Sequence, residues 1–408
     1  LNGDCPPRQT AKAALFRRRF QQLTGPLMAK ALEDTLFYRQ MPVLALNEVG
    51  GDAGREDFSP RHFHEAMAAR ARDWPLALSS TATHDTKRGE DSRARLYALT
   101  DDPQSWIEGV TRWRASNSRH VTRGKGGAAP EPELEWALYQ ALLGVWPPFL
   151  DPDDDDGIEA LLDRLLPYAE KALREAKLRS NWTDVDDAYE IAVKDYIAAL
   201  LSADNRLFLR DFHRSIQPYL HAGAWNGIAQ TLVKFTAPGI PDIYQGAEQM
   251  DLSLVDPDNR RPPDFDGLQS DLDANEEGPW DEEALLSGRL KQTLIARILA
   301  FRRAVATLFE KGDYTPVSAR GAMKTHVIAF RRSHEGRSIV AIAPRLPLAL
   351  IAGDSAIPAA GWADTAIDLP DITGPLTDVL TGRTVQAEPH LKLSGVLTDF
   401  PVALLITG

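Results

Sequence analysis

The chain contains a single cysteine, Cys5. One thiol excludes an internal disulfide and any zinc site built on cysteines, which is typical of a reducing compartment. The sequence therefore predicts a cytoplasmic protein. It also lacks any apolar run near the roughly 18 residues that a membrane span requires, so we expect no membrane association.

Positive charge is scarce as well. Lys and Arg number 46 against 58 Asp and Glu, which gives a net charge of −12. Nucleic-acid binding needs clustered cations that neutralise phosphates, so this composition argues against a nucleic-acid partner. With 43% hydrophobic and 25% charged residues, the chain can bury a sizeable core and form two or three domains.

The first third of the chain has a helical pattern up to about Trp74, followed by a strand at residues 76–81. Ser59 is placed to cap a helix that runs to Arg72. Further upstream, apolar residues recur at helical spacing, namely Leu15, Phe20, Leu23, Leu27 and Ala31.

Some 150 residues separate this strand from the next one, at Ile240, which is far more than an ordinary crossover needs. They look helical almost throughout, with helices at 158–178 and 191–209. The tryptophans there are predicted core anchors, and one or two are candidates for stacking on sugar rings. A later amphipathic helix is predicted from the apolar face formed by Leu290, Leu294, Ile298, Phe301, Val305 and Leu308.

Beyond Gly312 the pattern changes to short β-like runs separated by Gly and Pro. Regular short strands with turn signals indicate an antiparallel sandwich. The predicted strands lie at 326–330, 338–343, 365–369, 376–380, 391–393 and 402–406.

Two acidic or histidine-containing features have plain explanations. The acidic stretch 151–157 lacks the Gly and Glu of a calcium loop and is better read as a helix N-terminus, which favours negative charge. His62 and His64 sit two apart on a helix and face different sides. We therefore predict no metal site.

The His-Asp loop (residues 83–91, THDTKRGED) follows the strand at 76–81 and precedes a helix-like segment. It places His84 and Asp85 at the carboxyl end of a strand, where α/β barrels hold their chemistry. A carboxylate beside an imidazole suits a sugar site, where developing positive charge and ring hydroxyls must be held. The alternative is a solvated strand-to-helix turn.

A second motif, residues 238–248 (PGIPDIYQGAE), reads as a short buried strand over 240–244 between turn residues. The Asp-Asn-Arg loop (residues 252–262, LSLVDPDNRRP) follows it. Its acceptors and guanidinium groups can bridge hydroxyls or pair with a catalytic carboxylate. The alternative is a Pro-stiffened loop whose Arg and Asp residues pair with one another.

Together the motifs resemble the α-amylase superfamily (glycoside hydrolase family 13), in which a His-Asp pair follows strand seven and GIPxIYxGxE forms strand eight. The two loops in full look like the maltooligosyltrehalose synthases of that superfamily. The resemblance spans nearly the whole chain. Further matches are residues 25–39 (GPLMAKALEDTLFYR), 46–52 (LNEVGGD) and, more weakly, 174–177, 181–182 and 189–190.

The resemblance implies an α/β fold, with the C-terminal part of a (β/α)8 TIM barrel that carries large α-helical insertions, followed by an antiparallel β-sandwich. The implied divisions are a helical subdomain and loop of the barrel (1–75), barrel strand seven and its helix (76–100), a helical insertion (101–235), strand eight with the substrate loop and last barrel helix (236–312), and the sandwich (313–408).

The implied activity is an intramolecular transglycosylation without cofactor. It converts the reducing-end α-1,4 linkage of a maltooligosaccharide to an α,α-1,1 (trehalose) linkage, and a functional link to a maltooligosyltrehalose trehalohydrolase is implied. Asp85 would be catalytic, His84 would donate to a ring hydroxyl, and Lys87 and Arg88 would hold the reducing-end glucose. Other implied substrate contacts are Lys30, Glu33, Asp34, Arg39, Asn47, Glu48, Asp258, Asn259 and Arg260.

The family's nucleophile and general acid lie in an Arg-x-Asp segment and at a strand-end Glu. No Arg-x-Asp after an apolar strand precedes Asp85, and the chain opens on Leu1. We therefore expect the C-terminal portion of a longer enzyme, inactive by itself. Two alternatives stay open, namely an α-amylase-type glucan hydrolase that shares Asp85 and a non-catalytic glucan-binding fragment.

Overall fold

The computed structural model of the chain describes residues 10–52, 54, 59–274, 281–351 and 359–407. Over these residues it is an α/β protein with several β-sheets. None of the helices in these ranges is long and apolar enough to cross a membrane. Cys5 lies outside the described residues.

Helix α1 (Thr10–Met28) leads into a π-helical turn, and α2 spans Pro60–Asp73. Ser59 caps α2 as predicted, because its hydroxyl oxygen accepts from the amide of His62 at 3.4 Å. Helix α1 has no buried residue, so its apolar side faces solvent. The exposed side chains include Phe16, Phe20, Leu23 and Leu27.

Strands β1 (Leu78–Ser79) and β4 (Ile240–Pro241) form a two-stranded parallel sheet. Both strands exist as predicted but are shorter, because pairing stops where the chain turns into the loops. The prediction that the second strand is buried is wrong. Leu78 is 74% and Ile240 is 43% exposed, because β1 and β4 pair only with each other among the described residues.

The region between β1 and β4 is largely helical, as predicted, apart from a hairpin of β2 (Thr122–Gly124) and β3 (Gly127–Ala129). The predicted helix at 191–209 is two helices, because the chain turns at residues 201–205. The helices are α3 (Glu90–Tyr97), α4 (Pro103–Asn117), α5 (Pro132–Val145), α6 (Asp155–Ala176), α7 (Asp187–Leu200) and α8 (Arg206–Thr236).

The core of this region lies around α8, which packs against α3. A Cβ on Gly223 of α8 would lie 2.8 Å from the Cα of Arg95 in α3, so glycine allows the close approach. Of the predicted tryptophan anchors, Trp106, Trp113 and Trp146 are buried, whereas Trp136 is only partly buried. The rings of Trp106 and Trp113 meet edge to face at 5.3 Å.

The acidic stretch 151–157 leads into α6 and supplies its first residues, in agreement with its interpretation as a helix N-terminus. Asp154 caps the helix by accepting from the amide of Gly157 at 3.2 Å, and Asp153 pairs with Arg210 at 2.8 Å. Within the described ranges, no three His, Cys, Asp or Glu side chains are grouped so that they could hold a metal ion.

The predicted apolar face from Leu290 to Leu308 is divided between two helices. Val305 leaves the helical conformation, with φ −129° and ψ 43°, so the long helix ends at Ala304. Leu290 and Leu308 are both buried, in different helices. The helices here are α9 (Phe265–Ala274), α10 (Glu282–Ser287), α11 (Arg289–Ala304) and α12 (Ala306–Lys311).

Two antiparallel sheets follow, in the strand orders β11-β10-β13-β8-β7-β5 and β12-β9-β6. All six predicted β-like runs contain a strand, whereas β5, β6 and β11 were not predicted. That the sheets form a sandwich stays a prediction. The elements are β5 (Thr315–Pro316), β6 (Ala319–Arg320), β7 (Val327–His334), β8 (Arg337–Pro344), α13 (Leu348–Ile351), β9 (Ala366–Asp368), β10 (Pro375–Asp378), β11 (Thr384–Gln386), β12 (His390–Lys392) and β13 (Ala403–Thr407).

Candidate active site

The carboxyl ends of β1 and β4 bring both motifs to one edge of their sheet. The amide of Ile240 donates to the carbonyl of Ala77 at 3.0 Å, and the amide of Asp242 donates to that of Ser79 at 2.8 Å. Gly239 permits this pairing, since its φ is +127° and a Cβ would lie 2.8 Å from the Ala77 oxygen. The two loops that follow therefore begin side by side, as ligand-binding loops of parallel sheets do.

The His-Asp loop and the Asp-Asn-Arg loop are fastened to each other. The amide of Gly89 donates to the carbonyl of Ser253 at 2.8 Å, and a Cβ on Gly89 would lie 2.3 Å from the carbonyl oxygen of Asp251. The Asn259 amide group donates to the carbonyl of His84 at 3.0 Å. The backbone around the His-Asp pair is therefore held by the second motif.

Asp85 lies on this loop with its side chain 64% exposed. Its Oδ2 is 3.4 Å from Nε2 of His84, and its Oδ1 is 4.0 Å from a guanidinium nitrogen of Arg260. The amide of Asp85 donates to the hydroxyl of Thr83 at 3.2 Å, which fixes the turn. A carboxylate, an imidazole and a guanidinium thus meet solvent together, and such groups can bind sugar hydroxyls.

Lys87 and Asp34 join the loop to the N-terminal segment. Lys87 Nζ donates to Asp34 at 2.9 Å, and its side chain is only 7% exposed. Lys30 reaches the same carboxylate from solvent, with its own side chain 76% exposed. Burial alone would raise the pKa of Asp34, but hydrogen bonds from Lys30 and Lys87 lower it below its ordinary value.

Glu48 holds the backbone of the His-Asp loop from behind. One carboxylate oxygen accepts from the amides of Val49 and Lys87, each at 2.8 Å. The other accepts from the amide of Arg88 at 3.2 Å and from Nη1 of Arg93 at 3.0 Å. With four donors, this carboxylate positions the loop.

The other predicted residues of the N-terminal segment organise that segment itself. Asn47 is buried and donates to the carbonyl of Gln40, while Glu33 accepts from the amide of Gly50 at 3.3 Å. Arg39 donates at 2.6 Å to a carbonyl at the C-terminus of α6. These contacts tie the segment to the helical region.

Arg88, Asp258 and Asn259 are also buried or largely buried. Arg88 donates to the hydroxyl of Tyr168 at 2.8 Å. Arg164 donates from two nitrogens to the two oxygens of Asp258 at 3.1 and 3.0 Å. Side chains already engaged in this way position the loops, whereas Asp85, His84, Arg260 and Lys30 remain open to a ligand. Their roles in substrate binding stay predictions.

A buried network of ion pairs lies behind the His-Asp loop and was not predicted from the sequence. Lys291 Nζ lies 2.6 Å from a carboxylate oxygen of both Glu90 and Asp91, and Lys234 lies 3.1 Å from Glu90. Burial alone would raise the pKa of Glu90, but Lys291 and Lys234 lower it to about 2. The one available signal is a lysine inside the apolar run around residue 234.

A cavity of about 1050 Å³ opens beside the His-Asp loop. Thr83 and Thr86, on either side of Asp85 in the chain, line it together with Glu48, Thr81 and Arg93. Its volume lies just above the range for small-molecule sites, about 300–1,000 Å³. There is room here for a ligand of several rings.

No protein-family model matches the chain. A putative maltooligosyl trehalose synthase of Mycobacterium tuberculosis is 36% identical over 388 residues, which cover 95% of this chain and 45% of that protein. The maltooligosyltrehalose synthase structure from Arthrobacter ramosus is 37% identical with a TM-score of 0.77, over 95% of this chain and 46% of that one. A Sulfolobus tokodaii structure described as a hypothetical maltooligosyl trehalose synthase is 25% identical, with a TM-score of 0.72, over 98% and 48%.

The chain thus spans about half the length of the curated relatives it matches. Within that half, the sequence match and the structural match each extend over 95% of the residues of this chain. Along nearly all of its residues, the chain is therefore similar in sequence and in fold to about half of a maltooligosyltrehalose synthase.

Proposed function

We propose that this chain provides part of the active site for an intramolecular transglycosylation. The reducing-end α-1,4 bond of a maltooligosaccharide is broken and the same glucosyl unit is rejoined to the freed glucose by an α,α-1,1 bond. The observation that carries the proposal is the exposed Asp85 carboxylate, beside His84 and Arg260 at the edge where β1 and β4 end.

Asp85 is proposed to bind hydroxyls of the glucosyl ring that develops positive charge, through hydrogen bonds that strengthen in the transition state. His84 donates to a neighbouring hydroxyl. Lys30 and the largely buried Lys87 lie on the side where the freed glucose turns before its anomeric oxygen attacks. Retaining that glucose while excluding water separates rearrangement from hydrolysis.

The nucleophile and the general acid are proposed to come from the part of the family's fold that this chain does not span. Retaining glycosyl transfer needs both carboxylates flanking the bond that breaks. We propose β1 and β4 as neighbouring strands of a (β/α)8 barrel, and the two C-terminal sheets as a sandwich beside it. The exposed Leu78 and Ile240 agree with further strands packing there. A cytoplasmic location and a downstream trehalohydrolase complete the proposal.

The test uses a chimaera in which this chain replaces the homologous 46% of the Arthrobacter ramosus enzyme. Asp85→Asn should lower the rate of trehalosyl-end formation by at least about 100-fold, the effect of losing one transition-state hydrogen-bonding group. Since the side chain is 64% exposed, the unfolding midpoint should stay unchanged.

The matched control is Asp399→Asn, which alters an exposed acid paired with Arg383 in the C-terminal β-region. It should retain full activity. Equal activity of the Asp85 and Asp399 variants would remove Asp85 from the mechanism.

A further inference from the structure

Trp182, in the connection between α6 and α7, is 53% exposed, whereas Trp106, Trp113 and Trp146 are buried. Exposed indoles are uncommon in a folded chain because they leave a large apolar surface in water. An indole that stays in solvent is therefore a candidate for contact with a ligand.

The Trp182 ring is held in place before any ligand arrives. The Arg174 guanidinium lies 5.0 Å from the ring centroid, and Nε1 donates to Glu175 at 3.1 Å. Arg174 is itself fixed by two hydrogen bonds to Glu190, at 2.9 and 2.8 Å. The side chain of Asn181 accepts from the amide of Asp184 at 2.9 Å, which stiffens the loop. A ring with a fixed orientation loses little entropy on binding.

A cavity of about 550 Å³ lies beside the ring and is lined by Trp182, Glu175, Lys171, Lys194 and Asp256. This volume is within the range of small-molecule sites. Lys171 pairs with Asp256 and Lys194 pairs with Glu170, which leaves Glu175 as one negative charge in excess. The wall therefore offers both donors and acceptors of hydrogen bonds, which suits a ligand rich in hydroxyls.

The cavity is connected to the candidate active site by a chain of side chains. Asp256 lies 3.9 Å from Arg260, and Arg260 lies 4.0 Å from Asp85. On the other side, the pKa of Lys30 is raised mainly by its hydrogen bond to Asp34, and further by Glu175 and Asp85. Lys30 is therefore within electrostatic reach of both the indole's partner and the proposed catalytic carboxylate.

We propose that Trp182 is the stacking platform of a separate glucosyl subsite for an α-glucan. The apolar face of a glucose ring covers the indole, while Glu175, Lys171 and Asp256 bind its hydroxyls. The assignment of the ligand as an α-glucan rests on the function proposed above, whereas the assignment of Trp182 as a binding platform does not.

The test is the equilibrium binding of maltoheptaose to this chain, measured by calorimetry and by tryptophan fluorescence. Trp182→Ala should weaken binding about tenfold, the loss expected for one aromatic contact, and should abolish the fluorescence change. Trp182→Phe keeps a stacking ring and should retain most of the affinity. The matched control is Trp74→Ala, which removes another exposed indole (73%) outside this cavity and should bind as the unaltered chain does.

Unchanged affinity of Trp182→Ala would overturn the proposal, and so would the absence of any binding by the unaltered chain. The readout needs no turnover. A failure of the transglycosylation test would therefore leave the binding result standing, and a failure of binding at Trp182 would leave the role of Asp85 standing.

Discussion

Replacing Glu48 by glutamine tests whether this carboxylate positions the His-Asp loop. Glutamine keeps the shape of the side chain but replaces one acceptor oxygen with an NH2 donor and removes the charge. One oxygen serves the amide of Lys87 at 2.8 Å, and the other serves the amide of Arg88 and Nη1 of Arg93. In either orientation of the glutamine side chain, its NH2 group faces at least one of these N–H donors, and that hydrogen bond is lost.

The cost follows from burial. The side chains of Glu48 and Arg93 are 13% and 6% exposed, so water can replace the lost contacts only in part. A hydrogen bond to a charged group contributes about 1.5–3 kcal/mol. Breaking a buried ion pair costs about 3–5 kcal/mol, because one charge is left without its partner. Arg93 keeps its bond to the Arg88 carbonyl at 2.7 Å, so we expect a loss of about 3 kcal/mol in the free energy of unfolding.

The assay is urea denaturation combined with hydrogen exchange of the Lys87 and Arg88 amides, whose protection should fall in Glu48→Gln. The matched control is Glu283→Gln, because Glu283 is 67% exposed and pairs with Arg289 at 3.1 Å. That pair should contribute less than about 1 kcal/mol. Equal losses in the two variants, with amide protection intact, would refute the positioning role of Glu48.

Two further predictions concern acid stability and loop packing. The pKa of Glu90 lies near 2, below its ordinary value of 4.5, so its stabilising contribution is complete above about pH 4.5 and is lost as the pH falls towards 2. Glu90→Gln should therefore show a flatter fall of the melting temperature between pH 5 and pH 2.5, and identical slopes would contradict this. Gly89→Ala should destabilise by about 1–3 kcal/mol in urea, since its Cβ would lie 2.3 Å from the Asp251 oxygen, whereas Gly25→Ala, with nothing within 4 Å, should not destabilise.

Local signals predicted local structure well. The Ser59 cap, the acidic start of α6 and the short β-like runs that form β7 and β8 each depend on neighbours in the chain, and the structure contains all three. Boundaries within longer apolar patterns were harder. The break at Val305 leaves the helical spacing of Leu290 and Leu308 unchanged, so periodicity cannot reveal it.

The sequence did not predict which side chains of the site contact residues that are distant in the chain. Nothing in the neighbouring sequence indicates that Arg164, 94 residues before Asp258, donates to both of its carboxylate oxygens. Nor does it indicate that the Arg88 guanidinium donates to the hydroxyl of Tyr168. The motif resemblance identifies these residues as one set of candidate site residues. It does not distinguish the exposed Asp85 from the side chains whose hydrogen bonds already hold the loops. The exposure and the hydrogen-bond partners of each side chain make that distinction.

The most direct test of the proposed function is the product balance of maltohexaose treated with the Arthrobacter ramosus chimaera. We predict that reducing power falls while no glucose is released and the number of glucose units per chain stays at six, since the broken α-1,4 bond is replaced by an α,α-1,1 bond. A rise in reducing ends that matches the bonds cleaved would contradict intramolecular transfer and would identify a hydrolase instead.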